Sequence, residues 1–354
     1  MRRAALVVVL LLAASASLQA VEYRITDLNV YLPQGIWRGW ARAINDREEI
    51  SIDVSPHGGS DRVVVWDSVN GVRDIGNLNG RDIHGESIND LGQVVGWASY
   101  AEYVHHAFIW DNANGIRDLT TGPTALGYAH AVNDQGEVVG EGQLPGGLAG
   151  PFIWDNANGI RLIGGLGNTH VPRSINNTGQ IAGQYTTPTG GYRGFVWDSS
   201  NGEREIGNLG GRYVDARDTN NVGQVVGFSY TTPTGGTHAF IWDSLNGMRD
   251  LGALPGPGRS SAFAVNDLGK VVGYSNVPTN VGHAFVWDSI NGMIDLGSLG
   301  GTSIAFDINN LGQIVGYAYD TQGTMHAVLW EPIPEPSTLL TILFGLGGVV
   351  WRRR

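Results

Sequence analysis

The chain has 354 residues, a formal net charge of −11 and no cysteine. The acidic balance argues against a nucleic-acid partner, because phosphate binding needs clustered Lys and Arg. A chain without cysteine needs no disulfide, which is compatible with export but does not establish it.

The N-terminus predicts a secretory signal peptide over residues 1–20. Met1, Arg2 and Arg3 are followed by an apolar run to Ala14 and by small residues up to Ala20. A basic start, a short apolar core and small residues before the cleavage point are typical of such signals. We place cleavage after Ala20, with Ala16 as the alternative. A retained membrane anchor is the other interpretation, and the shortness of the apolar core disfavours it.

A tryptophan followed by an acid recurs seven times, at intervals of 43 to 45 residues. The seven pairs are Trp66-Asp67, Trp110-Asp111, Trp154-Asp155, Trp197-Asp198, Trp242-Asp243, Trp287-Asp288 and Trp330-Glu331. A period of about 40–50 residues is typical of the four-stranded blades of propellers. Each period holds four short segments rich in β-branched or aromatic residues and bounded by Gly, Asn or Asp, which predicts strands. The sequence therefore predicts an all-β, seven-bladed β-propeller of four-stranded blades over residues 21–333.

The two ends of this array predict a ring closed by the N-terminal strand. The seventh copy stops at Trp330-Glu331-Pro332 without a fourth strand, and Tyr23–Leu28 resembles the missing one. Closure would leave no exposed sheet edge, whereas an open solenoid would need atypical capping repeats. We expect a monomer. The first copy, Ile44–Glu49, lacks the turn glycine of the other copies, so we expect its blade to be irregular.

Features that recur from copy to copy are interpreted as scaffold. These are the tryptophans and the recurrent histidines His106, His238, His283 and His326. The acids fall in hairpin turns, where their side chains bond the backbone, and the spacing of a calcium loop is absent. We therefore predict no metal, no cofactor and no catalytic residue.

Candidate site residues are those that vary between copies at one register. Counting back three residues from the recurrent Asn gives Arg42, Glu86, His130, Arg173, Arg217, Phe263 and Phe306. Counting back five gives Trp40, His84, Tyr128, Val171, Asp215, Ser261 and Ile304. Both sets share one side of the first strand, and if that strand is innermost they ring the channel entrance. The predicted ligand-binding residues are Trp40, Arg42, His84, Glu86, Tyr128, His130, Arg173 and Arg217. The alternative is a water-filled channel whose lining residues vary between copies because no ligand constrains them.

The C-terminus has three parts: Pro334-Glu335-Pro336, an apolar stretch from Leu339 to Trp351, and Arg352-Arg353-Arg354. This arrangement resembles the PEP-CTERM sorting signal of Gram-negative bacteria, so we assign residues 334–354 to a sorting tail. The resemblance implies recognition by an exosortase, removal of the tail and export of the body to the cell surface or matrix. The apolar stretch, with its basic end, predicts a transient inner-membrane anchor. An ordinary permanent anchor is the alternative.

The repeats resemble the HAF extracellular-repeat family, whose name describes His106-Ala107-Phe108, His238-Ala239-Phe240 and His283-Ala284-Phe285. His326-Ala327-Val328 is a variant. The resemblance covers nearly all of residues 22–331. It implies a fold and supplies no catalytic residues.

Two classes of function remain open. The first is a non-catalytic surface or matrix module that binds an exopolysaccharide, another glycan or a surface protein. The second is a polysaccharide lyase or glycoside hydrolase that uses His84 or His130 with Tyr128 and a carboxylate-neutralising Arg42 or Arg173. An enzyme needs a fixed acid–base pair within hydrogen-bond reach. The sequence has no recurring acid pair, which favours binding.

Overall fold

A computed structural model describes residues 22–333 except 79–80, 103, 121–125, 144–148, 168, 234, 257 and 279–280. The predicted signal peptide and sorting tail lie outside the described residues.

Residues Tyr23–Pro332 form one unit of seven four-stranded antiparallel sheets. The chain begins with β1 (Tyr23–Asp27) and a 3-10 helix (Leu28–Tyr31). Blade 1 comprises β2 (Ile36–Ile44), β3 (Ile50–Pro56), β4 (Arg62–Asp67) and β5 (Gly71–Asp74), and blade 2 comprises β6 (Ile83–Ile88), β7 (Val94–Ala101), β8 (Val104–Asp111) and β9 (Gly115–Asp118). Blade 3 comprises β10 (Gly127–Val132), β11 (Val138–Gln143), β12 (Ala149–Asp155) and β13 (Gly159–Leu162), and blade 4 comprises β14 (His170–Ile175), β15 (Ile181–Thr186), β16 (Tyr192–Asp198) and β17 (Gly202–Glu205).

Blade 5 comprises β18 (Val214–Thr219), β19 (Val225–Thr232), β20 (Gly235–Asp243) and β21 (Gly247–Asp250). Blade 6 comprises β22 (Ser260–Val265), β23 (Val271–Asn276), β24 (Gly282–Asp288) and β25 (Gly292–Gly297). Blade 7 comprises β26 (Gly300–Ile308), β27 (Ile314–Asp320), β28 (Met325–Pro332) and β1. The predicted all-β, seven-bladed propeller is therefore confirmed.

The N-terminal strand closes the ring, as predicted. β1 pairs antiparallel with β28, with Tyr23 opposite Pro332 and Asp27 opposite Val328. Asp27 also accepts a hydrogen bond from His326 at 2.9 Å. β1, from the opposite end of the sequence, therefore completes the last sheet and pairs with the edge that β28 would otherwise expose.

A continuous ring of asparagine side chains joins the blades near the channel. The amide nitrogen of each recurrent Asn donates to the backbone carbonyl of the next one, over 2.7–3.1 Å. The ring runs through Asn45, Asn89, Asn133, Asn176, Asn220, Asn266 and Asn309 and returns to Asn45. The side-chain oxygen of the same residue accepts two amides of its own hairpin, as Asn309 does from Leu311 and Gln313. One residue type therefore fixes both the turn and the contact between blades.

The first blade is irregular only locally, since β2 has a second register shift between Ile36 and Arg38. β2 to β5 form a complete four-stranded sheet, and the first hairpin closes through the amide of Asn45 and the carbonyl of Glu49. Glu48 occupies the position of the missing glycine with φ 63°. The surrounding hydrogen bonds hold this left-handed conformation, which is uncommon for a residue with a Cβ atom.

Candidate functional site

Each innermost strand carries a β-bulge at the residue that lies three before the recurrent Asn. In β2 the register shifts between Ala41 and Ala43, which leaves Arg42 as the extra residue. The other six first strands shift at the matching position. A bulge redirects the extra side chain. It also brings the backbone close to the second strand, so a Cβ atom on Gly96 or Gly140 would overlap the carbonyl oxygen of His84 or Tyr128.

The seven bulged residues form one ring around the central channel. They line a cavity of about 240 Å³ together: Arg42, Glu86, His130, Arg173, Arg217, Phe263 and Phe306. A second cavity of about 260 Å³ includes the same seven residues and continues along the channel. The structure therefore brings together five of the eight predicted site residues. We name these seven residues the channel ring.

Two arginines of the channel ring are held in place by buried carboxylates and aromatic faces. Arg42 Nε lies 3.2 Å from Asp53 Oδ2, and its guanidinium sits 5.2 Å from the centroid of Phe306. Arg217 lies 3.0 Å from Asp215 Oδ2 and 4.6 Å from the centroid of Phe263. Because the positive charges are paired and stacked, these two side chains are preorganised.

Arg173 differs from the other two arginines. It is half-buried in the ring and makes no ion pair or hydrogen bond with any residue that the structure describes. Buried polar atoms that lack a hydrogen-bond partner within the described chain include His130 Nε2, Gln184 Oε1 and Asp215 Oδ1. Of these three residues, only His130 lines the channel cavities.

The other three predicted residues, Trp40, His84 and Tyr128, do not line the channel cavities. They are half-buried, and each lies two residues before the bulged residue of its strand. There each pairs with a residue of the second strand. His84 packs on Trp97 at 4.3 Å between ring centroids, and Tyr128 lies 5.8 Å from the same indole. These contacts place His84 and Tyr128 in a layer beside the channel ring and separate from its lining.

The layer is built around Asp53, whose side chain is 1% exposed. Its carboxylate contacts Arg42, accepts from the amide of Gly85 at 2.9 Å and lies 3.3 Å from His84 Nδ1. Burial lowers the pKa of His84, but the hydrogen bond and charge of Asp53 outweigh burial, so the pKa is raised overall. For His105, whose ring lies 4.8 Å from that of Trp97, burial and the charge of His84 lower the pKa.

The second-strand residues that face this layer were not predicted from the sequence. They are Asp53, Trp97, Glu141, Gln184, Phe228, Tyr274 and Tyr317, each paired with a residue five before the recurrent Asn. They vary from copy to copy as the channel ring does. In six copies they follow the glycine of the second strand, so the same counting along the repeat would have found them.

The recurrent histidines bond within their own blades. His106, His238 and His283 lie 2.7–2.8 Å from the acid of the fourth strand, Asp118, Asp250 and Asp295. The acids after the tryptophans accept backbone amides of the next turn, as Asp111 does from Ala113 and Asn114. These contacts match the scaffold interpretation of both residue types.

The described part of the chain contains no group of three His, Cys, Asp or Glu residues placed to hold a metal ion. It also contains no helix that is long and apolar enough to cross a membrane. The predicted sorting residues Pro334, Glu335, Pro336 and Arg352–Arg354 lie outside it.

Residues 332–354 match the family model described as the PEP-CTERM protein-sorting motif. The match implies export, a C-terminal membrane anchor, processing by an exosortase and a surface location thereafter. No curated protein sequence matches the chain.

The solved structures that resemble the chain are propellers. The β-propeller domain of the Trilobed protease from Pyrococcus furiosus is 9% identical with a TM-score of 0.55, and the match covers 84% of this chain and 96% of that one. A puromycin-hydrolyzing peptidase from Mycobacterium tuberculosis is 12% identical with a TM-score of 0.53, and the match covers 84% of this chain and 56% of that one. At these identities the likeness shows the fold alone.

Proposed function

We propose that this protein is a non-catalytic binding module of the cell surface or extracellular matrix, and that its channel ring binds an acidic glycan. A signal peptide over residues 1–20 starts export, the propeller over residues 21–333 is the functional body, and an exosortase removes the tail over residues 334–354. The His-Ala-Phe stretches support membership of the HAF extracellular-repeat family. The mature body acts as a monomer.

The observation that carries this proposal is the guanidinium of Arg173, which pairs with no residue of the described chain and lies next to the paired Arg217 in the channel ring. A half-buried cation without a counter-charge is costly, and a bound carboxylate or sulfate would offset that cost. Arg42 and Arg217 are each paired with a buried aspartate, while Phe263 and Phe306 keep part of the wall apolar. The ring therefore suits an anion that also has an apolar face.

The aromatic part of the channel ring favours a sugar over a simple anion. Phe263 and Phe306 can lie against the apolar face of a pyranose while Arg173 bonds its carboxylate. The cavity of about 240 Å³ is slightly smaller than typical ligand pockets of about 300–1,000 Å³. A single terminal uronic acid fits this size better than the middle of a chain, so we propose binding to chain ends.

The catalytic alternative has one specific observation in its favour, the contact between Asp53 and His84. A buried carboxylate that orients an imidazole with a raised pKa is one arrangement found in acid–base catalysis. Tyr128 and Arg42 lie in the same region. His130 Nε2 is 3.5 Å from Glu141 Oε1, which is too long for a hydrogen bond.

A glycan array on the purified full chain tests the binding proposal. We expect uronic-acid glycans to be retained and Arg173→Gln/His130→Ala to lose them without a lower melting temperature, because Arg173 makes no ion pair or hydrogen bond within the described chain. No retention of acidic glycans, or retention that the double variant keeps, would contradict the proposal.

Incubation of the full chain with the retained glycan tests catalysis. Release of unsaturated or reducing ends that stops in His84→Ala would establish the enzyme instead. Unchanged glycan after prolonged incubation would leave binding as the function.

A further inference from the structure

The junction between blade 7 and blade 1 contains a cavity of about 630 Å³, more than twice the volume of either channel cavity. Its floor is apolar and includes the buried Ile44, Ile50 and Leu329. The half-buried indole of Trp66 lines it, and Tyr31 stacks on that indole at 5.2 Å with an angle of 30°. The volume lies within the usual range of about 300–1,000 Å³ for ligand pockets. We name this cavity the seam pocket.

The seam pocket arises where the repeat pattern breaks in the fourth strand. Five blades carry an arginine opposite the residue before the recurrent Trp: Arg73, Arg117, Arg161, Arg204 and Arg249. Arg117 lies 5.5 Å from the ring of Trp154 in the next blade, and Arg249 lies 4.8 Å from that of Trp287. At these junctions a long side chain therefore covers the tryptophan.

The two remaining junctions have other residues at this position. Blade 6 carries Ile294, which packs in the cluster that buries Trp330 completely. Blade 7 carries Thr26, contributed by β1. Because threonine is much shorter than arginine, the space over Trp66 stays open.

A second break in the pattern adds a polar group to the same cavity. Glu48 stands where the other six hairpins have glycine, and it lines the seam pocket. It accepts a hydrogen bond from the amide nitrogen of Gln313 in blade 7 at 2.9 Å. Arg24 and Glu331 form an ion pair of 2.7 Å on the opposite rim. Both departures from the repeat therefore shape one cavity.

From this arrangement we propose that the seam pocket is a second saccharide site, and that it binds a neutral hexopyranose. The apolar face of a pyranose can lie on the aromatic platform of Trp66 and Tyr31, while its hydroxyls exchange hydrogen bonds with Glu48, Glu331 and Arg24. Three carboxylates and one guanidinium line the pocket, Asp67 being the third acid. Their net negative charge disfavours the acidic sugars proposed for the channel. The two sites are therefore independent and select different sugars.

The experiment titrates the full chain with the methyl pyranosides of glucose, galactose and mannose and follows protein NMR signals. We expect at least one of them to bind the wild-type chain. Thr26→Arg restores the residue of five other blades and should weaken this binding at least tenfold by filling the pocket. Thr189→Arg is the matched control, because it adds the same charge on an exposed loop, and it should leave binding unchanged.

Glu48→Gly is the second variant, and it restores the residue of the other six hairpins. Because glycine suits a φ of 63°, this variant should keep the fold even if Thr26→Arg does not, and it should weaken binding several-fold. Arg173→Gln in the channel should have no effect. The proposal is overturned if no methyl pyranoside binds, if Thr26→Arg and Glu48→Gly both bind as the wild type does, or if only Arg173→Gln abolishes binding.

Discussion

The asparagine ring should contribute measurably to stability, and Asn309→Ala at the closure seam is the clearest perturbation. Asn309 donates to the carbonyl of Asn45 at 3.1 Å and to Gln313 Oε1 at 2.8 Å. It accepts from the amides of Leu311 and Gln313 at 3.1 and 2.9 Å. The alanine variant loses all four bonds and leaves the buried amide of Gln313 without a partner. An orphaned buried donor costs about 1–3 kcal/mol.

With the lost inter-blade bond, we expect the free energy of unfolding to fall by about 2–4 kcal/mol. For a domain of this size that corresponds to a fall in Tm of roughly 3–6 °C. Differential scanning calorimetry measures it. Asn246→Ala is the control, because Asn246 is exposed and bonds only within its own turn, and it should change stability by about 0.5 kcal/mol or less. Equal Tm values for the two variants would refute the structural role of the ring.

Three further predictions concern pH, closure and processing. Burial raises the pKa of Asp307 to about 7, so its contribution to stability is present below about pH 4 and is lost as pH rises through 7. Asp307→Asn should therefore gain Tm relative to the wild type between pH 5 and pH 8, and a constant difference over that range would show that Asp307 does not titrate. Deletion of residues 22–30 should uncover β28, giving aggregation and a lower Tm, whereas a soluble variant with unchanged melting would contradict closure by β1. Mature protein from the native host should lack residues 1–20 and the segment after Pro336, and intact-mass detection of Arg352–Arg354 on surface material would rule out tail removal.

The propeller could be predicted because the residues that recur in the sequence are the ones that build each blade. A seven-fold Trp-acid period and an N-terminal segment that resembles a fourth strand sufficed to predict blade number and closure. The left-handed backbone of Glu48 could not be predicted, because this conformation at a non-glycine residue depends on the hydrogen bonds around it. The local sequence of the first hairpin contains no sign of them.

The channel ring was predictable in part. Counting along the repeat found Arg42, Arg173 and Arg217, but a plain two-residue alternation placed His84 and Tyr128 in the same lining. The bulge separates the two sets, because the extra residue turns into the channel while the residues before it face the second strand. The role of Asp53 could not be inferred, since it depends on side-chain contacts between blades 1 and 2.

The direct measurement of the central claim is an isothermal titration of an oligouronate into the full chain, the Arg173→Gln variant and Arg193→Gln. Arg193 is the matched control because it lies in the same blade and pairs with Glu205 away from the channel. Loss of the charge-assisted bond should cost Arg173→Gln about 2 kcal/mol, or roughly 30-fold in Kd. Binding by the wild type should weaken as salt rises, while Arg193→Gln should bind as the wild type does. If Arg173→Gln binds with unchanged Kd, or if salt has no effect on the wild type, the channel ring does not bind acidic glycans.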